Sequence, residues 1–366
     1  MKDKGMHSGR AGIKQIADAL GISIGTVDRA LHSRVGVSPK TRDSVLKMAR
    51  KLNYSPNMAA RHLKLNRRFR IGVFLPEQIT SFFDPLRAGI QAAAHRGTGA
   101  TVEVVFHSYP RLREGDVEAM EANGWRQFDG VILAPGNPLR LAPICRIAEM
   151  ESRPLVFVAT DAGRIHRLSS IAVEASVSGG IAAELLGQII RSRRAVIAIT
   201  GDLKIQDHAE KLRGFAASLA TLSPHLNMLP AIESHDSPRD AHRAAMALLK
   251  SHPDLGGIYI NTANSLPIIQ ALEESRRLGK VQVIATDLFP EMVHLIESGQ
   301  VFAALHQRPF TQGRIAFEIL SRYLVGKVPP KRMIRLAPHI VLRSNLQLFL
   351  DERTPESQEL QPSIFD

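Results

Sequence analysis

Ile13, Ile16, Ala17 and Leu20 fall at i, i+3, i+4 and i+7, the spacing that puts four apolar side chains on one face of a short helix, and Gly21 ends it. A second helical run opens at Ser23, a natural N-cap, and turns Val27, Ala30 and Leu31 inward. A third begins at Ser38-Pro39, a cap followed by proline at the first helical position, with Val45, Leu46, Ala49 and Leu52 inward. Small Ala17 lets two of these helices approach, Gly21 supplies the positive φ of the turn, and Val27 fills the space between them. A helix, a glycine turn and a helix at this spacing match DNA-binding helix-turn-helix units. Residues 53–57 then interrupt the pattern, and Met58–Lys64 has length for one or two further helical turns before Arg67, Arg68 and Arg70.

From Arg70 onward the period changes. Short apolar runs alternate with longer helical ones: Ile71–Leu75, Val102–Phe106, Val131–Leu133, Leu155–Val158 and Ile171–Val173, then Ala195–Ile199, Gly257–Ile260 and Val281–Ala285. This alternation predicts a parallel α/β sheet, and the count fits two doubly wound halves. Such sheets bind ligands outside the carboxyl ends of their strands. Polar or aromatic residues just past each run are therefore the binding candidates: Phe82, Phe83 and Asp84, then Asn137, Asp161, Asn261 and Asp287, all expected to face one cleft. Arg213, in Lys211-Leu212-Arg213-Gly214-Phe215, and Gln307 complete the set. Carboxylate, amide and guanidinium groups satisfy the paired donors and acceptors of a polyol, while an aromatic ring covers its C–H face. Asp287 also reads as a helix cap before Phe289-Pro290, Asn261 as a turn residue, and the two phenylalanines as core.

Charge sharpens the division. Of 47 Lys and Arg against 35 Asp and Glu, the first 70 residues hold 16 basic and 4 acidic side chains, so the excess of +12 lies entirely there and the rest is balanced. This is a polyanion-binding arm on a neutral body. A single cysteine, Cys145, allows no internal disulfide or zinc framework and fits a reducing compartment. With no signal-like apolar region near the N-terminus and no membrane-length apolar run, the expected location is cytoplasmic, without a membrane partner.

Enzyme signatures are missing. The first strand runs into Pro76-Glu77-Gln78 rather than a glycine-rich phosphate turn, no nucleophile elbow or His-Glu-x-x-His pair occurs, and the 14 histidines show no metal-ligand spacing. His95, His225 and His242 read as surface residues and Trp125 as packing. Neither a catalytic residue, a metal nor a cofactor is expected.

The run Ile13-Lys14-Gln15-Ile16-Ala17, Gly21-Ile22-Ser23, Thr26 to Leu31, Val37-Ser38, Thr41-Arg42 and Leu52 to Arg61 resembles the lactose/galactose/purine repressor family of bacterial transcription factors across residues 12–64. That resemblance implies a helix from about Ile24 to His32 in the DNA major groove, and a short hinge helix over residues 57–64 that forms on DNA and enters the minor groove. Leu63 falls at the family's intercalating leucine, where an aliphatic wedge unstacks a base step, with Arg61, Lys64 and Arg67 as flanking cations and Asn57 opening the helix. Arg29 is the candidate for bidentate contact with guanine, and Ser23, Thr26, Lys40 and Arg42 for phosphate contacts. Ile24-Gly25 departs from the polar readers of many relatives, so Ile24 is expected to touch a thymine methyl.

Arg213-Gly214-Phe215, Asn261, Asp287 and Gln307 with Gln312-Gly313 extend the likeness, more loosely, to that family's effector domain and to periplasmic sugar-binding proteins over about residues 70–345. It implies that Arg213, Asn261 and Asp287 bind ligand hydroxyls from the C-terminal lobe, with Gln307 near the hinge and Phe82 or Phe83 on the ligand face. Thr262 departs from an acidic residue common in relatives. The expected architecture is a three-helix DNA-binding domain over residues 1–56, a hinge helix and linker over 57–69, a two-lobed α/β effector and dimerisation domain over 70–345, and a polar tail over 346–366. The expected activity is that of a homodimeric regulator of transcription that binds a pseudo-palindromic operator under control of a small effector, a sugar or sugar derivative. The alternatives are a plain sugar-binding protein and, further off, a sugar-modifying enzyme with a nucleic-acid-binding arm.

Overall fold

A computed structural model describes residues 12–31, 35–52, 68–96, 101–262 and 264–350. The chain divides into two compact units, residues 1–65 and 66–366.

The first unit is the three-helix head that the apolar spacing calls for: α1 (Ile13–Leu20), α2 (Ile24–Leu31) and α3 (Pro39–Lys51). Its core is Ile16, Ala17, Val27, Ala30, Val45 and Ala49, with Ile13, Leu20, Ile22, Leu31, Met48 and Leu52 packed around it. Met48 packs there in place of the expected Leu46, because 45, 48, 49 and 52 form the inward stripe of α3. Gly21 ends α1 at φ 64°, a left-handed turn open to glycine at little cost. Ser23 and Ser38 accept hydrogen bonds from the backbone N–H groups of Thr26 and Thr41, each at 3.1 Å, and so cap α2 and α3.

The second unit has two lobes. The chain order is β1 (Arg68–Pro76), α4 (Thr80–His95), β2 (Thr101–Tyr109), α5 (Asp116–Ala122), β3 (Gly130–Leu133), α6 (Pro138–Met150), β4 (Leu155–Val158) and β5 (Ser169–Val173). After a crossing at Glu174 come α7 (Ala175–Ile189), β6 (Ala195–Thr200), α8 (Gln206–Leu222), β7 (Asn227–Met228), β8 (Ile232–Glu233), α9 (Pro238–Ser251), β9 (Leu255–Asn261), α10 (Leu266–Glu274), β10 (Gln282–Thr286), α11 (Pro290–Glu297) and β11 (Ala303–His306). The chain returns through Gln307 to α12 (Pro309–Gly326) and β12 (Met333–Leu336), then crosses a third time to β13 (His339–Val341) and α13 (Leu346–Leu350).

The N-lobe sheet runs β12-β5-β4-β3-β1-β2, all parallel. The C-lobe sheet runs β13-β11-β10-β9-β6-β7, parallel except for β13, with β8 also beside β6. Numbered within each lobe, with β7 and β8 counted as one interrupted strand beside β6, both begin 2-1-3-4-5. Strand order therefore reverses at β1/β3 in one lobe and β6/β9 in the other, and residues just past β1, β6 and β9 lie at the two switch points. The strands that were expected are present. Five more, β7, β8, β11, β12 and β13, are short and were not anticipated.

The first five residues of the tail expected over 346–366 are folded. Residues 346–350 form α13, in which Leu346 is 1% exposed and Phe349 packs on the C-lobe core, because Leu346 and Phe349 present one apolar face. Residues 351–366 lie outside the described part.

Each lobe is closed by two helices whose backbones touch through glycine. A Cβ on Gly89 of α4 would collide with the carbonyl oxygen of Phe310, and one on Gly313 of α12 with that of Leu86. In the C lobe, Gly179 of α7 stands in the same relation to Lys211, and Gly214 of α8 to Ser176. Gly214, part of the motif that drew attention to Arg213, is thus required by helix packing. Gly89→Val must force α4 and α12 apart, and we expect a loss of about 1–3 kcal/mol or more in thermal unfolding of the body. An unchanged melting temperature would contradict the close crossing.

Candidate functional site

On the head, Ser23, Ile24, Gly25 and Thr26 form the start of α2, with Ile24 53% exposed. The Ser23 and Thr26 hydroxyls lie 2.8 Å apart. Gly25 and exposed Arg29 share one face at i, i+4, and the Arg29 guanidinium donates to Thr26 Oγ1 at 3.5 Å. Lys40 is exposed and Arg42 half-buried on the first turn of α3. Asn57, Arg61, Leu63, Lys64 and the hinge helix expected around them lie outside the described residues.

In the body, the lobes face one another across a cleft with three cavities, all of them lined in part by Asp236. The inner one, about 40 Å³, is lined by Phe82 and Phe83 from the first turn of α4, Asp207, His208 and Lys211 from the first turns of α8, and Thr160, Asp236, Thr262 and Gln307. These are largely the ends of β1, β6 and β9, the switch points of the two sheets. An outer cavity of about 670 Å³ runs from Gln78–Pro85 of the N lobe to Asp236, Asn264, Ser265 and Glu291 of the C lobe. A third, about 360 Å³, lies between Arg111–Glu114 and Asp202, Lys204, His235 and Asp236. There Arg113 of the N lobe forms an ion pair with Asp202 of the C lobe.

The backbone around the cleft is strained. Ile79, Ala159, His235, Asp236, Asp287 and Arg308 all hold positive φ between 51° and 69°. For a β-branched residue such as Ile79 this conformation is costly, and strain of this kind gathers at ligand clamps.

Of the nine residues expected to bind the effector, the structure brings three into the inner cavity. Phe82 and Phe83, 5% and 2% exposed, meet edge to face at 5.0 Å, and Gln307 closes the base. Asp84 reaches only the outer cavity, exposed and paired with Arg87 at 2.8 Å. The other five are corrected. Arg213 is exposed and near Glu210 on the outside of α8, since two positions along a helix from Lys211 is the opposite face. Asn137 is the N-cap of α6, its side chain accepting from Leu139 N–H at 3.0 Å. Asp161 is consumed by Arg167, Arg335 and Ser170 where β5 meets β12. Asn261 is fully buried beneath the cavity, where its amide donates to Thr200 Oγ1 at 3.1 Å and the His208 carbonyl at 2.9 Å.

Asp287 neither lines the cavity nor caps α11, whose N-cap is Phe289. Its carboxylate accepts from the Gln307 backbone N–H at 2.9 Å and from Gln307 Nε2 at 2.6 Å, and it fixes the cavity's base from behind. Burial pushes its carboxyl up to about 6, against the pull of those bonds and of Lys211.

The residues that the sequence reading missed carry most of the charge. Lys211, 1% exposed, donates to Asp207 Oδ2 and Gln307 Oε1, each at 2.6 Å. His208 Nδ1 lies 3.0 Å from the Asp202 backbone N–H, and burial lowers the pKa of the imidazole. Asp236 accepts from Thr262 Oγ1 at 2.6 Å. The Asp207–Lys211–Phe215–Leu219 stripe at i+4 was the available signal that Lys211, not Arg213, faces inward. Gln307 also ties the lobes: its carbonyl accepts from Gln312 Nε2 at 2.8 Å, while Gln312 Oε1 accepts from Ala159 N–H at 3.0 Å.

Comparison with known families gives both units a match. The family described as "Periplasmic binding protein domain" matches residues 71–328, and "Bacterial regulatory proteins, lacI family" matches 12–57. The chain belongs to the periplasmic-binding-protein domain family and carries a lacI-family head. Similar proteins include the ribose operon repressor of Bacillus subtilis (strain 168), 25% identical over 85% of this chain and 90% of that protein, and catabolite control protein A of Priestia megaterium, 23% identical over 91% and 98%. Among solved structures, the chain superposes on an ABC-transporter solute-binding protein from Agrobacterium vitis bound with α-D-tagatopyranose. The TM-score is 0.71 at 21% identity, covering 81% of this chain and 99% of that one. A glucose–galactose binding protein from Geobacillus stearothermophilus gives a TM-score of 0.70 at 20% identity, covering 76% and 99%. These structures share the fold.

Proposed function

We propose that this lacI-family protein is a cytoplasmic, homodimeric repressor whose grip on a pseudo-palindromic operator is set by a sugar or sugar derivative in the interlobe cleft. The observation that carries it is one chain holding both a basic helix-turn-helix head and a cleft at two sheet switch points, lined by an aromatic pair and a buried Asp207–Lys211–Gln307 network. The similar ribose operon repressor and the sugar-bound solute-binding protein support this effector class. The head argues against a plain solute-binding protein, and the similar repressors argue against an enzyme.

On this reading α2 enters the major groove, with Arg29 and Ile24 at base edges, while Ser23, Thr26, Lys40 and Arg42 hold phosphates. Residues 57–64 wind into the hinge helix on DNA, with Asn57 at its start, Leu63 as the wedge and Arg61 and Lys64 beside it. The effector acts through differential affinity for two lobe arrangements. Gln307 is suited to couple them: it lines the cavity, lies on a crossing between lobes, and bonds toward Asp287 on one side and toward Ala159 through Gln312 on the other. A genome-wide map of sites occupied by the tagged protein, with and without candidate carbon sources, should show discrete palindromic sites that change occupancy with the sugar. Occupancy without discrete sites under every condition would contradict the proposal.

A further inference from the structure

The charges around the cleft do not cancel. Asp207 is held by Lys211, Asp202 by Arg113, Glu114 by Arg111 and Asp84 by Arg87. Asp236, the residue shared by all three cavities, accepts a hydrogen bond from the neutral Thr262 hydroxyl and has no ion-pair partner among the described residues. Glu291, on the wall of the outer cavity, likewise has no ion pair among them, and that wall contains no Lys, Arg or His.

A second, independent observation marks the same place as a ligand seat. Among the described residues, Ser265, fully buried on the outer cavity's wall, has a hydroxyl with no hydrogen-bond partner, and Asn264 beside it has an Nδ2 with none. Thr160, 3% exposed on the inner wall, has a hydroxyl without a partner among them as well. Buried polar groups are almost always satisfied, so these three await a partner rich in hydroxyls. A neutral polyol would satisfy them but bring no cation to the outer cavity, where Asp236, Asp84 and Glu291 line the wall while the cleft's Arg111, Arg113 and Lys204 line the third cavity instead. A protonated amine supplies that charge and donates a charge-assisted hydrogen bond.

We infer that the effector is a polyol bearing a protonated amino group, such as an amino sugar, with its ammonium directed at Asp236 where the inner and outer cavities meet. This rests on the cleft being the effector site. Hydroxyls of the same molecule meet Thr160, Asn264 and Ser265, and the Phe82–Phe83 pair covers its C–H face.

Calorimetric titration of the full-length protein with D-glucosamine, D-galactosamine and D-mannosamine, each beside its neutral parent sugar and its N-acetyl derivative, tests it. At least one amine should bind about tenfold or more tightly than both counterparts, and Asp236→Asn should bring that ratio close to one. A neutral or N-acetyl sugar binding as tightly as its amine would overturn the inference and leave the cleft's role standing. An amine preference that survives Asp236→Asn would overturn the assignment to Asp236. Binding of none of these compounds would count against both the inference and the effector reading.

Discussion

Lys211→Met removes the effector response and costs the body about 3–5 kcal/mol, whereas Arg213→Ala changes stability by about 0.5 kcal/mol or less and leaves the response intact. The two residues are two positions apart on α8, and the family-like motif points to the wrong one. Lys211 is 1% exposed, and its ammonium is shared between Asp207 and Gln307. Methionine keeps the volume but strands the Asp207 carboxylate in a buried site and frees Gln307 from one of its anchors. The Arg213 side chain is 73% exposed, 3.6 Å from Glu210, an ion pair of the weak surface kind. Thermal unfolding and effector titration of both variants check the contrast. A silent Lys211→Met would mean that the buried pair does not organise the site.

Arg29→Ala is expected to weaken specific operator binding by about 1–3 kcal/mol while leaving the head folded, since Arg29 is exposed and the core beneath α2 is Val27, Ala30 and Leu31. The loss should concentrate at one base pair per half-site. Binding to scrambled DNA should fall far less, because the phosphate contacts proposed for Lys40, Arg42 and the residues of the basic arm are untouched by the substitution. Competition binding against operator and scrambled duplexes separates the two. An equal loss on both would make Arg29 a phosphate contact.

Much of this was legible from residue spacing because the signals are local. The head's core is a helical stripe on each of three helices, with caps at Ser23 and Ser38 that are chemically distinctive. The central strands are long apolar runs. Local pattern cannot show which way a side chain turns once the chain is folded. Asn137 and Asp161 do follow strands, yet one is drawn to its own helix N-terminus and the other to arginines that arrive from 6 and 174 residues away. Asp236 escaped notice because it follows β8, two residues long, which shows no alternation. The glycine contacts between α4 and α12 and between α7 and α8 join segments distant in sequence, and nothing local announces them.

The central claim is that what enters the cleft changes what the head holds. Fluorescence anisotropy of a labelled operator duplex, titrated with full-length protein at fixed salt with and without a saturating cleft ligand, measures that coupling directly. The account predicts a shift in operator affinity of about 5–150-fold, lost in Lys211→Met and kept in Arg213→Ala. An operator affinity that does not move when the cleft is filled would contradict it.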